Sequence, residues 1–294
     1  MLANAATHLR GLMRSTDLIW GPGVYDGISA RIAAAVGFPM LYMTGAGTAA
    51  SRIGEPDLGL TTLSEMAENA RTIARASNVP VIADADTGFG GPINVARTVH
   101  LYEGAGVAGL HIEDQMFPKR CGHLQGKIVV SADEFAQRIR AAANERYNPD
   151  FVIIARTDAR QPHGFDEAMA RIKLAFECGA DVGFFEGPTS LAEIERVIAE
   201  APGPMMLNLA TNGSTPSLRV REVEAYGFKF AIWPAATITA AALGIQTVLA
   251  ELKETGTDVG SLQGLSPRDV FAMVGLDEAI EIDRRSGSSA LSTV

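Results

Sequence analysis

The sequence predicts a closed (β/α)8 barrel, and three observations carry that prediction. Short apolar, β-branched runs recur eight times, segments with helical spacing of apolar residues lie between them, and no Pro-, Gly- or Ser-rich linker divides the 294 residues. Runs without polar alternation mark strands buried on both faces, as in a parallel sheet flanked by helices. Eight such units in about 230 residues fit one closed barrel better than an open doubly wound sheet, which generally has fewer strands.

The strands are read at Leu18–Trp20, Met40–Met43, Val79–Ala83, Gly109–Ile112, Phe151–Ala155, Val182–Phe185, Pro204–Leu209 and Phe228–Trp233. Helical spacing places helices at Thr62–Ala76, Asn94–Glu103, Ala132–Asn144, Phe165–Ala175 and Leu191–Ala199. Residues 1–294 are therefore read as one barrel domain, with about 251–285 a helical extension (Pro267–Met273, Asp277–Arg284) and 286–294 a flexible Ser/Gly tail. The helix expected after the eighth strand, Ala236–Leu252, is apolar on nearly every side, so another copy of the chain is expected to cover it.

Composition narrows the function. Twenty-five Lys and Arg against 34 Asp and Glu leave a formal charge of −9, which argues against nucleic acid or an anionic membrane as the main partner. The 21 uncharged residues from Phe230 to Ala250 contain Pro234, three threonines and Gln246, so they read as a buried strand and a buried helix, not a membrane span. Only two cysteines, Cys121 and Cys178, suggest a reducing compartment without a disulfide framework, and the cytoplasm is the expected location. The first sixteen residues carry Arg10 and Arg14 and no acid, a pattern shared with organellar targeting segments, yet Leu9, Leu12 and Met13 suit a short amphipathic surface helix.

Barrel enzymes gather their chemistry at the carboxyl ends of the strands. There the sequence offers Tyr42 to Gly47, Asp84 to Gly88, His111 to Gln115, Arg156 to Asp158, Glu186 and Asn208. Carboxylates from neighbouring strands are the hard oxygen ligands that Mg²⁺ or Mn²⁺ prefers, and strand alternation puts Asp84 and Asp86 on one face. Arg156 facing such a cluster suits bidentate grip of a substrate carboxylate. Gly45-Ala46-Gly47 resembles a loose dinucleotide fingerprint, but the following chain to Gly59 is read as too broken by Gly and Pro to form the required helix. Thr44 to Gly47 are instead read as amides and a hydroxyl for a small oxyanion. Lys119-Arg120-Cys121-Gly122-His123 lies in a polar, aperiodic stretch that reads as a mobile loop. Its basic neighbours favour a Cys121 thiolate and proton exchange near neutral pH. Cys178 reads as core packing, and His111, within a strand, as a satisfied core residue.

These motifs, together with Gly21 to Asp26 and Pro56-Asp57-Leu58-Gly59, resemble the isocitrate lyase and phosphoenolpyruvate mutase superfamily over nearly the whole chain. The resemblance is to its short-chain branch of 2,3-dimethylmalate, methylisocitrate and oxaloacetate-cleaving enzymes. It implies a dimer of dimers whose last helices swap between partners, and Mg²⁺ held directly by Asp86, with Asp57, Asp84 and Glu113 holding its waters. Thr44, Gly45, Ala46, Arg120, Gly122, Arg156, Glu186, Asn208 and Pro234 are implied at the substrate, and Tyr42, Lys119, Cys121, Arg156 and His123 in catalysis. Cys121 marks the carbon–carbon lyases, since similar mutases carry asparagine there, and it is implied to protonate the enolate-like product. Lyases for citrate-like acids tend to carry a polar group just after the eighth-strand proline and oxaloacetate hydrolases a serine at Pro234. The mostly apolar Trp233 to Ile238 therefore favours a small alkyl acid such as 2,3-dimethylmalate. Oxaloacetate hydrolysis ranks next, then a mutase-type reaction, then a barrel that binds dicarboxylates without cleaving them.

Overall fold

The structure is a computed structural model that describes residues 4–15, 17–122 and 124–291. Parallel strands β1 (Ile19–Val24), β2 (Leu41–Met43), β3 (Val81–Asp84), β4 (Gly109–Glu113), β5 (Val152–Thr157), β6 (Val182–Phe185), β7 (Met205–Asn208) and β8 (Phe230–Trp233) close into a barrel in sequence order. Closure pairs Ile19 with Phe230 and Pro22 with Trp233. Every apolar run read from the sequence overlaps one of these strands. β1 extends furthest beyond its run because Gly21 and Gly23 permit close neighbours: a β-carbon at Gly21 would strike the Met40 carbonyl, and one at Gly23 the Pro234 carbonyl.

Inside the barrel, Ile19, Met40, Tyr42, Ile82, Ile154, Val182, Phe184, Met206, Phe230 and Ile232 pack as one cluster. Leu9 joins it from α1 (Ala5–Met13), so this helix covers part of the barrel core, not merely the surface. Full burial of a leucine of this kind contributes about 1.5–3 kcal/mol. Around the strands run α2 (Gly27–Val36), α3 (Gly45–Arg52), α4 (Leu63–Ala76), α5 (Pro92–Ala105), α6 (Ala132–Glu145), α7 (Arg160–His163), α8 (Phe165–Glu177), α9 (Leu191–Glu200) and α10 (Val220–Tyr226). Their starts follow from local chemistry: Thr62 and Glu65 form a capping box on α4, while the Ser131 and Ser190 hydroxyls cap α6 and α9.

The chain ends in α11 (Ala236–Thr255), α12 (Pro267–Met273) and α13 (Leu276–Arg285). Within this single chain none of the residues of α11 is buried and Leu243, Ile245, Leu249 and Leu252 are exposed, which is the face that the sequence expects another copy to cover. A departure from the sequence reading is α3. The Gly- and Pro-rich stretch breaks only after Arg52, and eight residues before it are helical because the Thr44 hydroxyl caps the Gly47 amide. Among the described residues no helix is long and apolar enough to cross a membrane.

Candidate active site

The strand ends converge on a cavity of about 100 Å³ lined by Tyr42, Thr44, Ala46, Asp57, Asp84, Cys121, Gly122, Arg156 and Asn208, with Ala210, Pro234, Ala235 and Ile238 from the β7 and β8 ends. Polar groups therefore come from β2 to β7 and an apolar wall from β7 to α11.

Asp84 ends β3 and is held on several sides. The Gly45 amide at the start of α3 donates to its Oδ2 at 3.1 Å, and the Asp86 amide to its Oδ1 at 2.9 Å. A β-carbon at Gly45 would collide with this carboxylate, so glycine is required for the approach. Burial works to raise the Asp84 pKa, but His111, Lys119, Arg156 and the Asp86 amide outweigh it and hold the group below its usual value. Asp86 does not reach the cluster by strand alternation, as the sequence reading supposed. β3 stops at Asp84, and Asp86 sits in a turn with φ 47°. Burial pushes its pKa up to about 6 despite Lys119, with Asp84 and Asp57 adding like-charge repulsion.

Lys119 ties these acids together: its Nζ is 2.5 Å from Asp57 Oδ1 and 2.6 Å from Asp86 Oδ1. Burial alone would lower its pKa, but the surrounding carboxylates, Asp86 foremost, drive it well above the usual lysine value. Tyr42 reaches His111, with its hydroxyl 2.7 Å from Nε2 and 3.5 Å from Asp84 Oδ2. Burial raises the Tyr42 pKa and lowers that of His111 to about 4, so the imidazole is neutral at ordinary pH.

Register places Glu113 of β4 beside Arg156 of β5. The Arg156 guanidinium lies 3.3 Å from Glu113 Oε2 and 3.7 Å from Glu186 Oε2, and it donates to both oxygens of Asp158 at 2.9 and 3.0 Å. Asn208 Nδ2 donates to Glu186 at 3.2 Å. Burial raises the Glu113 pKa well above normal, whereas Arg156 and Lys127 overcome burial at Asp158 and hold it low. Asp114, buried behind the site, accepts from Thr157, the Asp158 amide and Arg171.

A lid carries Cys121 over this cluster. Its ends pair at Gln115 and Val129, and Gln115 Nε2 and Oε1 bond the carbonyl and amide of Arg120 at 2.8 and 3.0 Å. The Cys121 amide donates to the Asp57 carbonyl at 3.1 Å. Gly122 packs straight onto the site: a β-carbon there would collide with the Arg156 guanidinium and lie 2.9 Å from Glu186 Cδ.

The structure thus brings together Tyr42, Thr44, Gly45, Ala46, Asp57, Asp84, Asp86, Glu113, Lys119, Cys121, Gly122, Arg156, Glu186, Asn208 and Pro234. Arg120 is not among them: it is exposed and its guanidinium donates to the Gln125 carbonyl at 2.9 Å. His123 lies outside the described residues. The oxyanion reading of Thr44 to Gly47 changes in detail, because the Gly45 amide serves Asp84 and the Thr44 hydroxyl caps α3. Three contributors carry no role in the sequence analysis, Asp114, Lys127 and Asp158, and a fourth, His111, reads there as core alone. Asp158 ends the Arg156 to Asp158 segment and Lys127 closes the polar stretch that runs from Gln115 past Cys121, so a charge near Arg156 and near the cysteine is the available signal.

Among the described residues, no three His, Cys, Asp or Glu side chains converge at metal-binding geometry, and the Lys119 ammonium pairs with both Asp57 and Asp86. The donor set nevertheless fits a hard divalent cation. It is entirely carboxylate, and both oxygens of Glu113 are buried without a hydrogen-bond partner.

A barrel with buried carboxylates at its mouth, an arginine fork and a cysteine-bearing lid defines an enzyme class that handles small carboxylic acids. Comparison with known proteins specifies it. Residues 9–253 match the family model of phosphoenolpyruvate phosphomutase. The chain is 41% identical over 281 residues to 2,3-dimethylmalate lyase of Eubacterium barkeri, covering 95% of this chain and 97% of that one. It is 43% identical over 263 residues to 2-methylisocitrate lyase of Aeropyrum pernix, covering 90% and 84%. Its fold superposes with a TM-score of 0.95, at 47% identity, on oxaloacetate acetylhydrolase in complex with 3,3-difluorooxalacetate, covering 98% and 99%. Phosphonopyruvate hydrolase in complex with oxalate and Mg²⁺ superposes with a TM-score of 0.86 at 28% identity, covering 96% and 99%. The chain belongs to the isocitrate lyase and phosphoenolpyruvate mutase superfamily, as its motifs implied, and it is an enzyme whose relatives are lyases and hydrolases of oxo-acid chemistry.

Proposed function

We propose that the chain is a Mg²⁺-dependent carbon–carbon lyase that cleaves a 2-hydroxy dicarboxylate or tricarboxylate, with 2,3-dimethylmalate first and 2-methylisocitrate next. The observation that carries the reading is the seating of Gly122, beside Cys121, directly on Arg156 and Glu186 above the carboxylate cluster. Asp86, with Asp57, Asp84 and Glu113, would hold Mg²⁺ or Mn²⁺. When bound, such an ion supplies charge that favours a developing enolate-like dianion. The proposed roles of the chain's own residues follow. Arg156 grips a substrate carboxylate, and Thr44, Ala46, Glu186 and Asn208 fix its orientation. A general base takes the C2 hydroxyl proton, and Tyr42, whose hydroxyl lies 2.7 Å from the neutral His111 imidazole, assists that transfer. The C2–C3 bond then breaks with its electron pair moving to C3, so that 2,3-dimethylmalate yields pyruvate and the carbanion of propionate. The Cys121 S–H gives its proton to C3, and the lid excludes water that would otherwise quench the carbanion unselectively. Lys119 balances the acids, and His123 belongs to the same lid motif.

Ala210, Pro234, Ala235 and Ile238 favour an alkyl-bearing acid, since none offers a side-chain hydroxyl or charge to a further carboxylate. Oxaloacetate hydrolysis is the second reading, favoured by the 47% identity to the acetylhydrolase. The assembly we propose is a dimer of dimers in the cytoplasm, with the exposed apolar face of α11 covered by a swapped partner helix.

The test is a dehydrogenase-coupled assay over 2,3-dimethylmalate, 2-methylisocitrate, isocitrate and oxaloacetate with Mg²⁺ or Mn²⁺, followed by chelation. Cleavage of a 2-hydroxy acid that stops on chelation is expected. Inactivity on all of them with either metal would overturn the proposal.

A further inference from the structure

A buried lysine outside the reacting groups joins the lid to the arginine that faces the cavity. Lys127 lies near the returning end of the lid and is 6% exposed. Its Nζ donates to the Gly122 carbonyl at 2.6 Å and to Asp158 Oδ1 at 2.8 Å. Asp158 is fully buried, and its two oxygens also receive the Arg156 guanidinium. One carboxylate therefore fixes both Arg156 and, through one ammonium, the backbone unit next to Cys121. Gln161 of α7 adds a second hold: its Oε1 accepts from the Lys127 amide at 3.2 Å, and its Nε2 donates to the Leu124 carbonyl at 3.3 Å. Lys119, at the other end of the motif, is engaged with Asp57 and Asp86.

We infer that Lys127 is a positioning residue that latches the Cys121 lid in register with Arg156 by bridging the Gly122 carbonyl to Asp158. The inference rests on the lyase reading for its consequence in turnover but not for the latch itself. Gly122 has no side chain with which to hold its place, and the space beside it is so closely occupied by Arg156 and Glu186 that a β-carbon would collide with both. A cation is suited to the task because a charged donor to a carbonyl and a carboxylate holds more strongly than a neutral one. Lysine's three rotatable donors let it satisfy acceptors on two different segments.

The experiment measures carbamidomethylation of Cys121 by iodoacetamide, with peptide-resolved mass spectrometry, in wild type, Lys127→Met and Lys127→Gln. It is run with and without oxalate plus Mg²⁺. Cys178, buried and away from the lid, reports whether each variant is folded. The expected result is at least a tenfold faster reaction at Cys121 in both variants, loss of protection by oxalate, and no change at Cys178. Turnover of the cleaved acid is expected to fall mainly in kcat with KM within threefold, whereas a merely destabilised barrel would lower the active fraction and expose Cys178. Should Lys127→Met expose Cys178, Lys127→Gln, which keeps the stem and one donor, decides the matter. Cys121 rates within twofold of wild type in a folded variant would overturn the latch. Faster labelling without cleavage of any acid would leave the latch standing and count against the lyase reading alone.

Discussion

Adding one methyl group at Gly122 should hold the lid away from the site. The Gly122 backbone lies outside the left-handed region, so alanine carries no conformational penalty there and the effect is one of contact. Its β-carbon would overlap the Arg156 guanidinium and stand 2.9 Å from Glu186 Cδ and 3.1 Å from Cγ. Neither neighbour yields easily, because Arg156 is fixed by both oxygens of Asp158 and Glu186 is 1% exposed. Overpacking of this kind costs about 1–3 kcal/mol. The clash is set by Arg156 and Glu186 alone, so its cost is expected to fall on the seated lid and not on the barrel. The closed population should therefore drop by about 5- to 150-fold, at 1.36 kcal/mol per factor of ten. In the coupled assay Gly122→Ala is expected to lower kcat/KM within that range, with the thermal midpoint moved by less than about 2 °C. Activity within twofold of wild type would refute the claim that the lid must seat on Arg156.

Three further outcomes test separate parts of the account. Pro234→Ser, which puts a hydroxyl on the apolar wall, is expected to shift the ratio of kcat/KM for 2,3-dimethylmalate over oxaloacetate down by about tenfold, read in the same assay. Tyr102→Phe removes the hydroxyl that donates to the Asp84 carbonyl at 2.8 Å behind β3, and should cost about 1–3 kcal/mol of stability by denaturant unfolding, since it leaves a buried acceptor unpaired. Light scattering at micromolar concentration should report an oligomer, and Leu249→Glu on the exposed face of α11 should reduce its size, whereas a wild-type monomer would remove the explanation for that face.

The barrel strands were legible because strands buried on both faces must be apolar throughout, and each such run became a strand. The less periodic α2 and α3 were not. α3 begins Gly45-Ala46-Gly47, a sequence with poor helical propensity, and it forms because Thr44 caps it and Asp84 accepts the first amide. Candidate site residues were legible wherever a polar group ended an apolar run, as at Asp84, Glu113, Arg156, Glu186 and Asn208. What pairs them was not. Nothing in the spacing says that Lys119 enters the acid cluster while Arg120 turns outward, or that Lys127 reaches Asp158 across 31 positions. Those are contacts set by the path of the lid, which has neither helical nor strand period to read. His111 reads as a core residue because it lies inside a strand. It is buried as expected, but its Nε2 contact with Tyr42 makes it part of the site.

The most direct measurement is cleavage of 2,3-dimethylmalate in D₂O, with the propionate analysed by NMR for wild type and Cys121→Ser. Equal amounts of pyruvate and propionate are expected, with one deuterium at propionate C2 in a single configuration and a loss of about 10²- to 10⁴-fold in rate for the serine variant. Deuterium in both configurations, or a serine variant that turns over at the wild-type rate, would contradict the role of Cys121.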